Sequence, residues 1–186
     1  LMSAIMALMA PGIDKMLPAF YEIREAFDLG ESSPRAGQVI TVFFMGLAVA
    51  QLAWGPIADR FGRKLVLYAG SIVYIIGAAG SALAPTFELL LLSRFIWGLG
   101  AAGARVVATA IIRDRFEGSQ MAKAMSQVMA VFMLVPILAP SIGAGLIAIF
   151  PWRSIFWFCA IFALAIGLWS LRMRESLDPG NRRPLE

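Results

Sequence analysis

Long apolar runs, interrupted by short clusters of charged or turn-forming residues, make up most of this chain. An apolar run of about 20 residues, rising 1.5 Å per residue, is long enough to cross roughly 30 Å of hydrocarbon as a helix. Six runs predict spanning helices over residues 1–20, 37–58, 65–84, 88–111, 122–149 and 154–171. The pattern therefore predicts an all-α membrane protein with six transmembrane helices.

The composition supports this interpretation. Of the 186 residues, 60% are hydrophobic and 15% are charged, whereas soluble domains carry about 25% charged residues. The formal net charge is +4, but the basic residues lie in short loops beside apolar runs, so we do not expect nucleic-acid binding. The single cysteine, Cys159, lies in an apolar run and has no partner in the chain for a disulfide.

Lysine and arginine are distributed unevenly between the loops. The second loop, the fourth loop and the tail hold most of them: Arg60, Arg63, Lys64, Arg113, Arg115, Lys123, Arg172, Arg174, Arg182 and Arg183. The other loops hold Arg24, Arg35 and Arg153. Because positively charged loops are retained in the cytoplasm, both ends of the chain are expected to be cytoplasmic. Since Leu1 already lies in an apolar run, we also expect the chain to be truncated.

A weak internal repeat is visible. The pattern G-x-I-A-x4-R-x-L, from Gly55 to Leu65, recurs ninety residues later from Gly145 to Ile155, with isoleucine at the last position. Ninety residues correspond to three spans, an odd number, so the two copies would have opposite orientations, as in the inverted repeats of many transporters. Chance matching among small and apolar residues is the alternative.

The charged turn from Gly55 to Lys64 separates the second and third runs. Glycine permits close backbone approach, Asp59 can accept hydrogen bonds at a neighbouring helix end, and Arg63 can pair with a carboxylate. A plain topological anchor is the alternative. The order G-x-I-A-D-R-x-G-R-K resembles motif A of the major facilitator superfamily. That resemblance implies a cytoplasmic gate formed by Gly55, Asp59, Arg60, Gly62, Arg63 and Lys64.

The fourth run contains a charged residue, Arg94, about six residues from its start. An arginine inside a membrane span costs several kcal/mol and is usually functional or paired, although snorkelling to the interface is an alternative. The stretch from Arg94 to Gly103 resembles motif B of the same superfamily, R-x-x-Q-G-x-G-A-A, with Trp97 in place of glutamine. The resemblance implies a role for Arg94 in proton coupling.

Two further charges are candidates for the same cavity. The stretch from Gly12 to Ala19 resembles the span-one signature I-D-x-x-L-P-A of bicyclomycin-resistance drug/proton antiporters, in which Asp14 would exchange a proton near Arg94; an interfacial aspartate is the alternative. Arg105 lies about 16 Å beyond Arg94 on the same helix face. Facing the cavity is one possibility for Arg105, and a cytoplasmic snorkel or an ion pair with Asp114 is the other.

The fifth run is rich in proline and glycine. Small residues let helices approach closely in lipid, and prolines weaken the helical hydrogen bonds. The segment Ala139-Pro140-x-x-Gly143-Ala144 resembles motif C of the antiporter branch, G-P-x-x-G-G, with alanine at two glycine positions. We expect Pro136, Pro140, Gly143 and Gly145 to serve helix packing.

Taken together, the resemblance implies the N-terminal half of the twelve-helix major facilitator fold, built from two inverted three-helix repeats. Residues 1–171 would form the bundle, residues 172–186 would begin a cytoplasmic linker, and the C-terminal bundle would be missing. The implied function is proton-coupled export of small amphipathic drugs by alternating access across a bacterial inner membrane. Its partners would be the drug, protons, the bilayer and the missing half, with no cofactor or metal.

Other functions remain open at this stage. A major facilitator for a sugar or another metabolite would share motif A, and a non-transporting membrane scaffold would tolerate loss of its buried charges. An enzyme is not expected, since the chain contains no histidine for the common histidine-dependent protease sites.

Overall fold

The computed structural model describes residues 20–30 and 34–172, and every regular element in these ranges is a helix. A short helix, α1 (Phe20–Ala26), is followed by α2 (Arg35–Phe61), α3 (Arg63–Leu83), α4 (Phe87–Arg115), α5 (Gly118–Ile147) and α6 (Ser154–Ser170). Helices α2 to α5 are long and apolar enough to cross a membrane, and α6 is a shorter apolar helix. The predicted all-α membrane bundle is confirmed.

The long helices coincide with the predicted spans two to six. Each begins or ends within four residues of the predicted position, because charged and turn-forming residues interrupt the apolar runs. The N-terminus of α4 shows a local cause: the Thr86 hydroxyl accepts a hydrogen bond from the Leu89 N–H at 3.3 Å and so satisfies a free donor of the first turn. Most of the first predicted span, and the tail beyond residue 172, lie outside the described residues.

Helix α4 lies at the centre of the described bundle. It packs against α2 and α3, and α6 packs against α3. Four crossing glycines leave no room for a Cβ beside the backbone of the neighbouring helix: Gly46 against Phe95, Gly98 against Phe43, Gly77 against Trp97 and Gly100 against Tyr74. Backbone contact of this kind is how small residues bring helices together in lipid.

Helix α5 makes fewer contacts with the other described helices than α2, α3 or α4 does. Several of its large apolar side chains are exposed, among them Met133 at 71% and Ile137 at 70%. In a membrane these side chains face lipid or another helical bundle rather than water.

The bundle has two ends, which we name after one residue at each. The turns at Gly62 and at residues 116–117, together with the last residues of α6, lie at the Gly62 end. The junctions between α3 and α4 and between α5 and α6 lie at the opposite, Trp152 end. Helix α1 also packs at the Trp152 end, where Ile23 is completely buried and Glu22 contacts the Trp152 backbone.

Candidate functional site: a charged turn and a buried arginine

Gly62 makes the reversal between α2 and α3 possible. Its φ of +99° lies in the region that side chains disfavour, so a residue with a Cβ would be strained there. The Gly62 N–H also donates to the Ala58 carbonyl at 3.2 Å, which closes the last turn of α2. Gly55 is different: a Cβ added there would meet no described atom within 4 Å, so it makes no close backbone approach within this part of the chain.

Arg63 joins three helix ends at the Gly62 end. Its Nη1 contacts Asp59 Oδ1 at 2.5 Å, and its Nε donates to Asp114 Oδ2 at 3.0 Å. The Arg63 side chain is 10% exposed, against 43% for Asp59 and 21% for Asp114. Charge-assisted bonds of this length are stronger than neutral ones. The network therefore links the end of α2, the start of α3 and the end of α4.

The partner on α4 was not predicted for Arg63. The sequence pattern suggests Asp114 only as a partner of Arg105, because both residues lie on the fourth run. The fold instead brings the start of α3 beside the end of α4, fifty-one positions apart in the chain. The sequence does carry a signal for this pair. Asp114 and Arg63 both lie in basic segments that the predicted topology places at the same end of the bundle.

The other basic residues of the turn make different contacts. Lys64 Nζ donates to the Leu171 carbonyl at 3.5 Å and lies 5.6 Å from the Tyr68 ring centre. The Tyr68 hydroxyl donates to the Ser170 carbonyl at 3.3 Å. A cation near the carboxyl end of a helix is favourable. Here Lys64 binds the carbonyl of the C-cap residue Leu171, and Tyr68 binds that of Ser170, the last residue of α6. Arg60 is exposed, with its guanidinium 5.3 Å from the Phe61 ring centre.

An open cleft of about 280 Å³ lies beside this network. Its walls are formed by Gly55, Asp59, Arg63, Val106, Ala110, Arg113 and Asp114. Residues of both signs of charge line the cleft. Among the described residues, His, Cys, Asp and Glu side chains form no group of three that could hold a metal ion.

Arg94 is completely enclosed in the bundle, at 0% exposure. Its Nε donates to the Val39 carbonyl on α2 at 3.3 Å. The guanidinium carbon lies 4.7 Å from the Trp97 ring centre, 5.3 Å from that of Phe43 and 5.8 Å from that of Phe156. Aromatic faces within about 6 Å attract a cation. Rings from α2, α4 and α6 thus enclose the guanidinium within the bundle, so it is not exposed on the surface of the described helices.

The two other candidate charges are not brought beside Arg94 in the described residues. Asp14 lies outside the described residues. Arg105 lies on α4 toward the Gly62 end and is half-buried, and its backbone carbonyl accepts a hydrogen bond from the Thr109 hydroxyl at 3.0 Å. Of the predicted cavity charges, the structure therefore places Arg94 in the interior and Arg105 at its edge.

The proline- and glycine-rich segment lies within α5, which continues through Pro136 and Pro140. Gly143 and Ala139, one turn apart, are buried, and Pro140 is half-buried. Gly145 is exposed, and a Cβ added there would meet no described atom within 4 Å. Within the described chain, the packed edge of this segment thus includes Ala139 and Gly143 but not Gly145.

Sequence reasoning also missed a hydrogen bond between α2 and α4. The indole Nε1 of Trp54 donates to the backbone carbonyl of Leu99 at 2.8 Å. Gly103 lies beside the indole: a Cβ there would be in ordinary contact with two ring atoms at 3.5 Å, and its tightest neighbour would be Gly70 Cα at 3.2 Å. A tryptophan within an apolar run that pairs with a glycine-rich helix is a signal for such a bond.

The repeated segments make comparable contacts at opposite ends of the bundle. Arg153 Nη2 donates to the carbonyl of Ala84, the residue that follows α3, at 3.0 Å. Its guanidinium lies 4.8 Å from the Trp152 ring centre. Arg63 similarly binds Asp114 near the carboxyl end of α4. Each arginine of the repeat therefore ties the start of one helix to the end of another.

Comparison with known proteins gives one family for nearly the whole chain. The model of the Major Facilitator Superfamily matches residues 2–186. The multidrug resistance protein MdtL of Shigella dysenteriae serotype 1 (strain Sd197) is 37% identical over 176 residues, which cover 95% of this chain and 44% of that protein. MdtL of Escherichia coli O81 (strain ED1a) matches with the same identity and coverage. The chain thus spans less than half the length of these curated relatives.

Solved structures show the same architecture at low sequence identity. The human organic anion transporter MFSD10 (TETRAN) has a TM-score of 0.72 at 20% identity, covering 97% of this chain and 48% of that one. The xylose transporter XylE from E. coli, in its inward-open conformation, has a TM-score of 0.77 at 18% identity, covering 93% and 47%. At these identities the likeness concerns the fold, and it again extends over about half of each solved chain.

Proposed function

Because the chain belongs to the major facilitator superfamily, we propose that it forms the N-terminal half of a proton-coupled drug exporter in a bacterial inner membrane. Its curated relatives are multidrug resistance proteins at 37% identity, and the chain covers 44% of their length. A second helical bundle, joined through the segment after residue 171, would supply the other wall of the substrate cavity. The span-one signature around Asp14 supports assignment to the bicyclomycin-resistance type.

The observation that carries this proposal is the complete burial of Arg94. Ionisable groups inside a membrane bundle are expensive and usually belong to a substrate or proton pathway. A fixed positive charge favours the ionised form of a nearby acid, and protonation of that acid changes the net charge of the cavity. We assign the acid to Asp14 and the fixed charge to Arg94, with Arg105 at the edge of the same cavity.

The charged turn is the proposed gate at the cytoplasmic face. Arg63 already binds both Asp59 and Asp114 within this half. The open cleft beside them, and the free space at Gly55, offer a seat for helix ends of the second half. Contact there would favour the state open to the outside, and its release would favour the state open to the cytoplasm. The exposed apolar side chains of α5, together with its proline–glycine segment, would complete the interface.

The test is drug efflux from bacteria that express the protein from its complete reading frame. We expect accumulation of a chloramphenicol-like drug to fall, and to recover when an uncoupler collapses the proton gradient. Arg94→Ala and Asp14→Asn should each abolish efflux. Lys123→Ala, which removes an exposed charge at the start of α5, is the matched control and should not change it.

Two outcomes would overturn the proposal. Unchanged efflux in both the Arg94 and the Asp14 variants would remove these residues from the proton pathway. Uptake of a sugar or another metabolite without any drug efflux would assign the protein to a metabolite-transporting branch of the superfamily.

A further inference from the structure

Aromatic rings run without interruption from the Trp152 end of the bundle to Arg94. The ring centre of Phe27 lies 5.9 Å from that of Trp152, which lies 5.5 Å from that of Phe156. Phe156 in turn lies 5.8 Å from Trp97, whose ring centre is 4.7 Å from the Arg94 guanidinium carbon. The ring planes cross at 67°, 86° and 83°. We call these four rings the aromatic column.

The column is tightly enclosed and connects separate parts of the chain. Phe27 directly follows α1, and Trp97 lies on α4. Trp152 lies in the α5–α6 junction two residues before α6, and Phe156 lies in the first turn of α6. Phe156 and Trp97 are 0% exposed and Trp152 is 6% exposed. Edge-to-face pairs at such distances are favourable beyond the burial of their area, and protein interiors leave little empty volume. One ring therefore cannot move far without moving the next.

A group of hydrogen bonds holds the far end of the column. Glu22 Oε2 accepts from the Trp152 backbone N–H at 3.2 Å. Arg153 Nη2 donates to the Ala84 carbonyl at 3.0 Å. We name Glu22, Ala84, Trp152 and Arg153 the Trp152 clasp. It joins α1 to the α5–α6 junction, and that junction to the end of α3.

We infer that the aromatic column positions Arg94 and couples it to the Trp152 clasp. Two of the three rings around Arg94, those of Trp97 and Phe156, belong to the column. A shift of Trp152 therefore moves Phe156 and alters the surroundings of the guanidinium. Trp97 and Phe156 are positioning residues in this view. The coupling is a property of the bundle; its consequence, that opening of the Trp152 end reaches the proton site, rests on the proposed function.

Cys159 is a probe for this coupling that needs no transport. It lies on α6 one turn after Phe156 and is 0% exposed. The rate at which N-ethylmaleimide labels it, in membranes containing the protein from its complete reading frame, measures how often the bundle opens beside the column. Mass spectrometry of the peptide that carries Cys159 separates this signal from any other thiol.

The first experiment is a double-mutant cycle between the two ends of the column. Glu22→Met removes the acceptor of the clasp, and Arg94→Lys removes the planar guanidinium. Sites that do not interact change the labelling rate independently to within about twofold. We expect the change in labelling rate of the double variant to differ from the product of the two single-variant changes by about threefold or more. Glu22→Gln, which keeps an acceptor oxygen, should label like the unmodified protein.

The second experiment tests whether the rings carry the coupling. When the cycle is repeated in a protein that also carries Phe156→Leu, the double variant should label within about twofold of the product of the single effects. When it is repeated with Phe162→Leu instead, the larger difference should persist. Phe162 stacks on Phe158 at 6.2 Å on the same helix but outside the column, so it is the matched control. Trp152→Leu should abolish the coupling and Trp152→Phe should keep it. Both variants retain the backbone N–H that donates to Glu22, so they differ in whether an aromatic ring is present.

Independent effects of Glu22→Met and Arg94→Lys in the otherwise unmodified protein would overturn the inference. So would coupling that survives Phe156→Leu. If Arg94→Lys fails to accumulate in the membrane, Trp97→Phe replaces it at the inner end of the cycle. Coupling observed in a protein without drug efflux would leave this inference standing and refute the proposed function alone.

Discussion

Arg63 Nε and Asp114 Oδ2 lie 3.0 Å apart and join the start of α3 to the end of α4. The Arg63 side chain is more enclosed than either of its carboxylate partners. Since Asp114 is 21% exposed and Asp59 is 43% exposed, water screens the two pairs to different degrees. Although the Asp59 contact is the shorter, we therefore expect the contact to α4 to contribute more to stability.

Replacing Asp114 should destabilise the bundle more than replacing Asp59. Asp114→Asn weakens a charge-assisted bond that is partly shielded, so we expect a loss of about 1 to 2 kcal/mol in the free energy of unfolding. Asp59→Asn should cost about half as much or less, because its pair is more exposed. Both losses can be measured as a shift in the temperature at which buried Cys159 becomes reactive while the detergent-solubilised protein unfolds. Equal losses, or a larger loss for Asp59→Asn, would contradict this ranking.

The crossing glycines should not tolerate even a methyl group. A Cβ at Gly98 would overlap the Phe43 carbonyl oxygen, so Gly98→Ala has to push α4 away from α2. Overpacking of this kind typically costs about 1 to 3 kcal/mol. The same thermal measurement applies.

Gly37→Ala is the control for that change. Gly37 also lies in a helix, but it is exposed, and a Cβ there would meet no described atom within 4 Å. Alanine has the higher helix propensity, by about 1 kcal/mol, so this variant should be neutral or slightly stabilising. A loss as large as that of Gly98→Ala would show that the crossing geometry is not the cause.

Trp54→Phe should remove one hydrogen bond between α2 and α4 and little else. The Leu99 carbonyl loses the indole donor at 2.8 Å, so we expect a cost of about 1 kcal/mol. Trp157→Phe provides the comparison, because Trp157 is 41% exposed on α6. Its effect on thermal stability should be smaller, and the prediction fails if the two variants are alike.

Membrane orientation can be read with single cysteines at the two ends. Ile149, at the Trp152 end, is 77% exposed, and Phe116, at the Gly62 end, is 37% exposed. The excess of basic residues around the Gly62 end predicts that this end lies in the cytoplasm. A membrane-impermeant maleimide should therefore label Ile149→Cys in intact cells, and Phe116→Cys only after permeabilisation. The reverse pattern would invert the proposed topology. Buried Cys159 gives a low background.

The fold could be predicted largely from the sequence, because span length and the charges between spans are local properties of the chain. Helices α2 to α6 follow directly from these patterns. The positions of the motifs were equally accessible: the Gly62 turn and Arg94 stand out as charges in an apolar chain. The contacts of a single side chain depend on which residues of other helices the fold places beside it. These contact partners were harder to predict.

Particular contacts show the reason. Asp114 pairs with Arg63 from a different helix, and the pattern along α4 alone offers only Arg105 as its partner. Trp97 looked like a departure from a motif, whereas the fold makes it a ring that faces Arg94. Gly55 looked equivalent to Gly62, yet a Cβ at Gly55 would meet open space within the described residues. Such contacts depend on how helices cross, which sequence spacing does not specify.

The crossing glycines also limit how this half can change shape. A slide of α4 by one residue along α2 or α3 would place a side chain where Gly98 or Gly100 now meets backbone. Ratchet motions between these three helices are therefore blocked by steric overlap. We therefore expect α2, α3 and α4 to move together, with the hinges of any larger rearrangement outside them.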